Sequence, residues 1–438
     1  MFWLKTIFIV CLIPMILTLF LFIKNKLFLK HDLILFKLQN DNTKKFPIGN
    51  LILAFIIVSF VLFSLYFTLG IYRIWSLSNI IKIISRSLGY IFIGSFFFFI
   101  IYHNRIHRYR AIIFILVAAF FTLDFFCDLY EARGHFMYYT YEDIIQGEIP
   151  TCHIVIPQTV IPAILKGIII FPGKGIYNNI GIDFTIGSMI IIWLSVSLAL
   201  GKGWCSWVCF WGGWEEGFSS IKKNPFLKKF NYNLKWIPFA LFTVIAITSL
   251  LFIAPVYCWW LCPFKGVSEY GQIISPINLI QAIIFIIIFS TLVVILPILS
   301  KKRTQCTFFC PFGAFQSLVD KINIFTVRID TENCIKCKRC IKNCPVLSIT
   351  EKSLEKGEPG FTCIKCGKCI DICPKNAIFY HIKGTPKKGK ISRIIAFATR
   401  YVFLLIAFVF MGTMGGGMII DGLYRIFLFI ATGSFIEG

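Results

Sequence analysis

The chain of 438 residues is 57% hydrophobic and 15% charged, yet carries a net charge of +23 from 44 Lys and Arg against 21 Asp and Glu. An average soluble domain is about half apolar and about a quarter charged, so this composition excludes an ordinary cytosolic enzyme and points to an integral membrane protein. The 17 cysteines are too many for chance and, in so long a chain, too few for a disulfide scaffold, which leaves a cysteine-based site.

Apolar stretches of about 20 residues, enough to cross a bilayer as a helix, fall at 3–23, 50–71, 88–103, 111–128, 181–201, 236–256, 276–299, 392–411 and 416–435. The first has no small-residue cleavage site and is followed by Lys24 and Lys26, so it reads as a retained anchor. Five regions follow: a four-span N-terminal part (1–128), a loop (129–180), a three-span core (181–299), a water-facing region (300–391) and a C-terminal membrane hairpin (392–438). The Lys and Arg excess lies in 24–48, 104–110, 202–235 and 300–393, with 19 in the last. By the positive-inside rule these four face the cytoplasm. The N terminus and the loops 129–180 and 257–275 are then outside, and the location is a bacterial inner membrane. Only 72–87, with Arg73, Lys82 and Arg86, pulls the other way.

Several polar residues interrupt this pattern. His103 and His107 share a helical face, but a haem would need a facing partner at the same depth. The apolar stretch 154–171 is broken by Pro157, Gln158, Pro162 and Lys166, so it reads as a re-entrant or surface helix. Cys152-His153 before it is a candidate for metal binding or a quinone pocket. Glu215 and Glu216, just past the first of the cysteine pairs, are candidates for accepting quinol protons but read first as solvated loop carboxylates. Asp124, Asp183, Arg400 and Asp421 lie within or near the ends of spans, where charge is costly and usually paired or functional. Arg400 and Asp421 are read as a pair across the hairpin, and Asp124 or Asp183 as candidates for a quinone or proton route.

Three Cys-x3-Cys pairs follow in chain order: Cys205/Cys209, Cys258/Cys262 and Cys306/Cys310. Residues i and i+4 share a helical face, so each pair offers two thiols in one direction. The expected topology puts Cys205, Cys209, Cys306 and Cys310 together on the cytoplasmic side as a candidate additional redox centre. Cys258 and Cys262 fall in the opposite, oxidising compartment, where a disulfide or inert pair is expected.

The water-facing insert holds Cys334-Ile-Lys-Cys337-Lys-Arg-Cys340-Ile-Lys-Asn-Cys344-Pro345, repeated 29 residues later as Cys363-Ile-Lys-Cys366-Gly-Lys-Cys369-Ile-Asp-Ile-Cys373-Pro374. This is the C-x2-C-x2-C-x3-C-P run of bacterial ferredoxins, in which the fourth cysteine ligates the other cluster. One [4Fe–4S] cluster is thus expected on Cys334, Cys337, Cys340 and Cys373, and a second on Cys363, Cys366, Cys369 and Cys344. Structural zinc shows paired CxxC motifs instead, and c-type haem needs His where Ile341 and Ile370 stand. Ile335, Ile341, Ile364 and Ile370 are expected to shield the iron while the intervening lysines face out. The fold class is therefore an α-helical polytopic membrane protein of about nine transmembrane helices. It carries an inserted small α+β bacterial-type dicluster ferredoxin domain at about 326–384.

Cys-x3-Cys, two spans, Cys-x3-Cys-Pro and a dicluster ferredoxin resemble the membrane iron–sulfur proteins of the periplasmic nitrate reductase and nitrous oxide reductase systems (NapH/NosR type). The likeness covers roughly 180–380. It implies a quinol dehydrogenase or electron conduit, with quinone as substrate and Cys205, Cys209, Cys306 and Cys310 matching the paired motifs. Phe210 stands where the first motif usually has Pro, so a different turn is expected there. The first four spans, Cys258/Cys262 and the hairpin have no counterpart. Expected partners are membrane lipid, quinone and an acidic redox protein or sibling subunit, and no nucleic acid. Two other classes fit the same motifs: an accessory protein that reduces metal during metalloenzyme assembly, and a cluster-based redox sensor.

Overall fold

The computed structural model describes residues 77–131, 152–168, 186–227, 230–252, 255–265, 275–385 and 389–436. The expected spans 3–23 and 50–71, the anchor, Arg73 and Asp183 lie outside these residues.

Helices α1 (Leu77–Tyr102) and α2 (Ile106–Glu131) pack on each other through a short link. The apolar helix α3 (His153–Leu165) contains a π-turn at Ile156–Val160, because Pro157 and Pro162 lack the N–H that a regular helix needs. It is buried through Val160, so it lies among the helices and not on a surface. A long helix followed by a short one then recurs three times. The first set is α4 (Ile186–Leu200), α5 (Trp204–Trp207) and α6 (Trp211–Ser220). The second is α7 (Ile237–Phe252) and α8 (Val256–Trp260). The third is α9 (Pro276–Ser300), α10 (Thr304–Phe308) and α11 (Pro311–Val319).

The insert holds strand β1 (Phe325–Ile329), helices α12 (Arg339–Asn343), α13 (Glu351–Lys356) and α14 (Lys368–Ile372), and strand β2 (Ile378–Ile382). The strands pair antiparallel, Phe325 opposite Ile382 and Ile329 opposite Ile378. Their buried residues, among them Val327 and Tyr380, join one hydrophobic core with the membrane helices. The insert is thus seated on the bundle.

Five described segments are long and apolar enough to cross a membrane: Ile80–Tyr102, Ile106–Cys127, Met189–Trp207, Tyr232–Phe252 and Pro276–Ser300. They coincide with five of the nine expected spans. The expected C-terminal hairpin is instead one continuous helix. Helix α15 (Gly389–Phe410) runs through a π-turn at Met411–Gly415 into α16 (Gly416–Thr432) with right-handed helical dihedrals throughout the junction. Glycines along this helix serve close packing: a Cβ on Gly415 would press on Val117, one on Gly416 on Ile93, and one on Gly422 on Phe120. Arg400 and Asp421, 21 residues apart on one helix, are separated by about 32 Å and cannot pair. Arg400 donates to the Asn104 carbonyl, while Asp124 pairs with Arg425 at 3.0 Å.

Candidate electron-transfer site

Cys334, Cys337, Cys340 and Cys373 line one cavity with Leu354, Pro374 and Ile378. Three thiols come from the first run and one from the second. The loops wrap through left-handed residues, Lys336 (φ 50), Lys338 (φ 57), Lys365 (φ 50) and Gly367 (φ 77), conformations that bend a short chain sharply. The two exchanged cysteines are held alike: Cys344 Sγ accepts the Ser348 N–H at 3.2 Å, and Cys373 Sγ accepts the Ala377 N–H at 3.3 Å. In the other group, burial and the neighbouring Cys363, Cys366 and Cys344 thiols hold Cys369 well above the usual thiol range. Burial also pushes Cys340 up to about 11, so iron uptake here must release protons. Among the described residues no three Cys, His, Asp or Glu side chains converge closely enough to grip a single ion. Each ring presents four thiols, and Cys344 and Cys373 each accept an N–H bond, a donor set that fits a [4Fe–4S] cluster.

The second loop is locked to the membrane helices. The carbonyls of its successive residues Ile364, Lys365 and Cys366 accept bonds from Ser206 Oγ at 2.5 Å, Trp207 Nε1 at 3.2 Å and Arg110 Nε at 3.1 Å. Ser206 and Trp207 lie between Cys205 and Cys209, so the interior of one motif holds the backbone of the other. Lys365, expected to face out, is buried. Its Nζ donates to Leu200 O at 3.1 Å, Asp320 Oδ1 at 2.7 Å and Asn323 Oδ1 at 2.6 Å. Asp371 accepts the backbone N–H groups of Ile106 at 3.0 Å and His107 at 2.7 Å, capping α2 from the insert.

Cys205, Cys209, Cys306 and Cys310 line a second cavity with His153, Lys202 and Phe312. Their turns are built alike: Cys209 N–H donates to Trp204 O and Cys310 N–H to Gln305 O, both at 2.9 Å. The residues that end the three short helices share an extended φ: Val208 at −123°, Leu261 at −128° and Phe309 at −138°. The turn is therefore preserved with Phe210 in place of proline. Three sulfurs have polar partners: Arg303 Nη2 reaches Cys306 Sγ at 3.2 Å, Gly313 N–H reaches Cys310 Sγ at 3.4 Å, and His153 Nε2 lies 3.2 Å from Cys209 Sγ. Arg303 and Lys202, both buried, offset the negative charge that four thiolates would bring. A Cβ on Gly212 would strike the Arg303 guanidinium, so glycine is what admits it. Four thiols lining one cavity, two of them buried and two half-buried, fit an iron–sulfur centre beside these cations.

Glu215 and Glu216 are not solvated; both are fully buried. Glu215 accepts the N–H groups of Gln305 at 2.6 Å and Cys306 at 3.2 Å, bracing the third pair. Glu216 lies 3.2 Å from Arg110 and 3.8 Å from His107. Burial alone would raise its carboxyl, but Arg110, His107 and Arg303 outweigh it and hold Glu216 well below the usual range. His103 bonds the Tyr109 hydroxyl.

Cys258 and Cys262 are free thiols, and the segment 255–265 that carries them touches the elements that bear the other two pairs. Phe264 stacks on Trp211 at 4.4 Å, Tyr257 Oη accepts from Gln305 Nε2 at 2.9 Å, and Gln158 Nε2 donates to Cys258 Sγ at 3.0 Å. Cys152 is buried in one core with Cys262, while His153, next in the chain, lies against Cys209. Sequence reasoning missed Arg110, Arg303, Ser206 and Lys365. The available signal was two arginines flanking apolar runs.

Residues 326–379 match a 4Fe-4S dicluster domain, and 182–225, 234–277 and 282–328 each match a 4Fe-4S binding domain. Each of the latter three segments contains one Cys-x3-Cys pair. The chain is 24% identical over 164 residues to the Escherichia coli (strain K12) protein named "Putative electron transport protein YccM", a match spanning 36% of this chain and 45% of that protein. It is 28% identical over 194 residues to the uncharacterized protein MJ0750 of Methanocaldococcus jannaschii, spanning 42% of this chain and 76% of that one. No solved structure matches the chain at a significant level. These matches agree with the NapH/NosR-type resemblance: the chain carries iron–sulfur domains of an electron-transfer protein.

Proposed function

We propose that this chain carries electrons between the membrane quinone pool and a cytoplasmic redox partner, as a component of a respiratory reductase system. Cluster one would sit on Cys334, Cys337, Cys340 and Cys373, cluster two on Cys363, Cys366, Cys369 and Cys344, and a third centre on Cys205, Cys209, Cys306 and Cys310. The bound clusters supply one-electron chemistry. The observation that carries the reading is the run of bonds from Ser206, Trp207 and Arg110 to three successive carbonyls of the cluster-two loop. That contact leaves no solvent layer between the two cysteine motifs. Arg303 ties them again from the other side, donating its backbone N–H to Pro345 O at 2.8 Å and its side chain to Cys306 Sγ. Around cluster one, exposed Lys336, Lys338, Arg339 and Lys342 suit an acidic partner. The direction of flow is set by cluster potentials, which range over about −700 to +450 mV.

The test is electron exchange in anaerobically purified protein, followed by low-temperature EPR. Menaquinol or ubiquinol analogues should reduce the clusters, or quinones oxidise reduced ones; failure of both would rule out the quinone link. About twelve irons per chain supports the third centre, and about eight removes it.

A further inference from the structure

His153 comes from neither Cys-x3-Cys turn of the four-thiol cavity. It is brought in by α3, and its Nε2 lies 3.2 Å from Cys209 Sγ. The ring is buried and caged: Phe312 lies 4.7 Å away edge-on, Phe210 5.7 Å and Trp204 5.8 Å between ring centres. Trp204 and Phe210 flank the first thiol pair and Phe312 follows the second, so the residues that build the cavity also clamp the imidazole. Free rotation of the ring is thereby excluded, and Nε2 stays on Cys209. The other polar partners differ in kind. Gly313 offers a backbone N–H that any residue would offer, and Arg303 divides its guanidinium between Cys306 Sγ and the Cys205 carbonyl.

We propose that His153 is a positioning residue that donates a hydrogen bond to the Cys209 sulfur and raises the reduction potential of the four-thiol centre. The proposal rests on the third centre described above. An N–H bond to a ligand sulfur draws charge from it and favours the reduced, more negative state of the centre. His153 does this without being a ligand, since four thiols already complete the set. Its removal should therefore leave the iron in place and change only the potential. The neighbouring Cys152 is buried in the same hydrophobic core as Cys262.

The experiment is an anaerobic EPR redox titration of the full-length membrane protein as wild type, His153→Ala and His153→Gln, with iron counted in each. In His153→Ala the reduced-to-oxidised ratio of the third signal at a fixed potential should fall about tenfold, equal to about 59 mV for one electron. The two ferredoxin signals should not move, and His153→Gln, which keeps an N–H donor, should recover part of the shift. An unchanged third potential at about twelve irons overturns the proposal and spares the third centre. Loss of the third signal and its iron in His153→Ala alone makes His153 a ligand and also overturns it. About eight irons in the wild type overturns the third centre, and this inference with it.

Discussion

Two copies of one motif, Cys-Ile-Lys-Cys, occupy opposite environments in this protein. In the first, Ile335 is 56% exposed, Lys336 projects into water and Cys337 is exposed. In the second, Ile364 is 2% exposed, Lys365 is buried on Asp320 and Asn323, and Cys366 is buried. Both lysines adopt the same left-handed φ of 50°, so the local chain is the same and only the surroundings differ. A motif folds one loop; what the loop is pressed against decides its task. The exposed copy can meet a soluble partner. The buried copy can exchange electrons only through the protein that encloses it.

Substitutions at matched positions should separate the two copies. The largest difference is expected between Cys366→Ser and Cys337→Ser: each should lose about four irons, but only Cys366→Ser should also cut cluster one off from quinol. EPR after quinol addition reads this, and equal behaviour of the variants would break the distinction. Lys365→Met should cost about 1–3 kcal/mol, because it leaves the half-buried Asp320 and the buried Asn323 without their shared donor. Lys336→Met should stay within about 0.5 kcal/mol. Denaturant titration followed by cluster absorbance compares them. Gly213→Ala should cost about 1–3 kcal/mol, because the new methyl meets Phe114 O and Ala118 Cβ where α6 crosses α2. Ser206→Ala, which loses the bond to Ile364 O, should cost about 1 kcal/mol and slow reduction of cluster two.

The sequence made the local chemistry legible. Cysteine spacing and hydropathy pointed to the two ferredoxin runs and five of the described membrane helices, since both signals are written in consecutive residues. What was not legible depends on partners far along the chain. Glu215 and Glu216 look like loop carboxylates until Arg303 and Arg110 fold against them. Lys365 looks like Lys336 until Asp320 and Leu200 arrive. The contacts that bring Cys258 and Cys262 against the other elements, Phe264 on Trp211 and Gln158 on Cys258, are likewise not written in consecutive residues. The C-terminal glycines carry a turn signal that helix packing overrides. Ile335 lines the cluster-one cavity but stays 56% exposed, whereas Ile364 is buried against the membrane helices.

The order in which the clusters are reduced tests the central claim most directly. Rapid-freeze EPR of anaerobic protein mixed with a menaquinol analogue should show cluster two reduced before cluster one, with both steps lost in Cys205→Ser. Reduction of cluster one first, or unchanged kinetics in Cys205→Ser, would contradict a route that enters through the four-thiol centre.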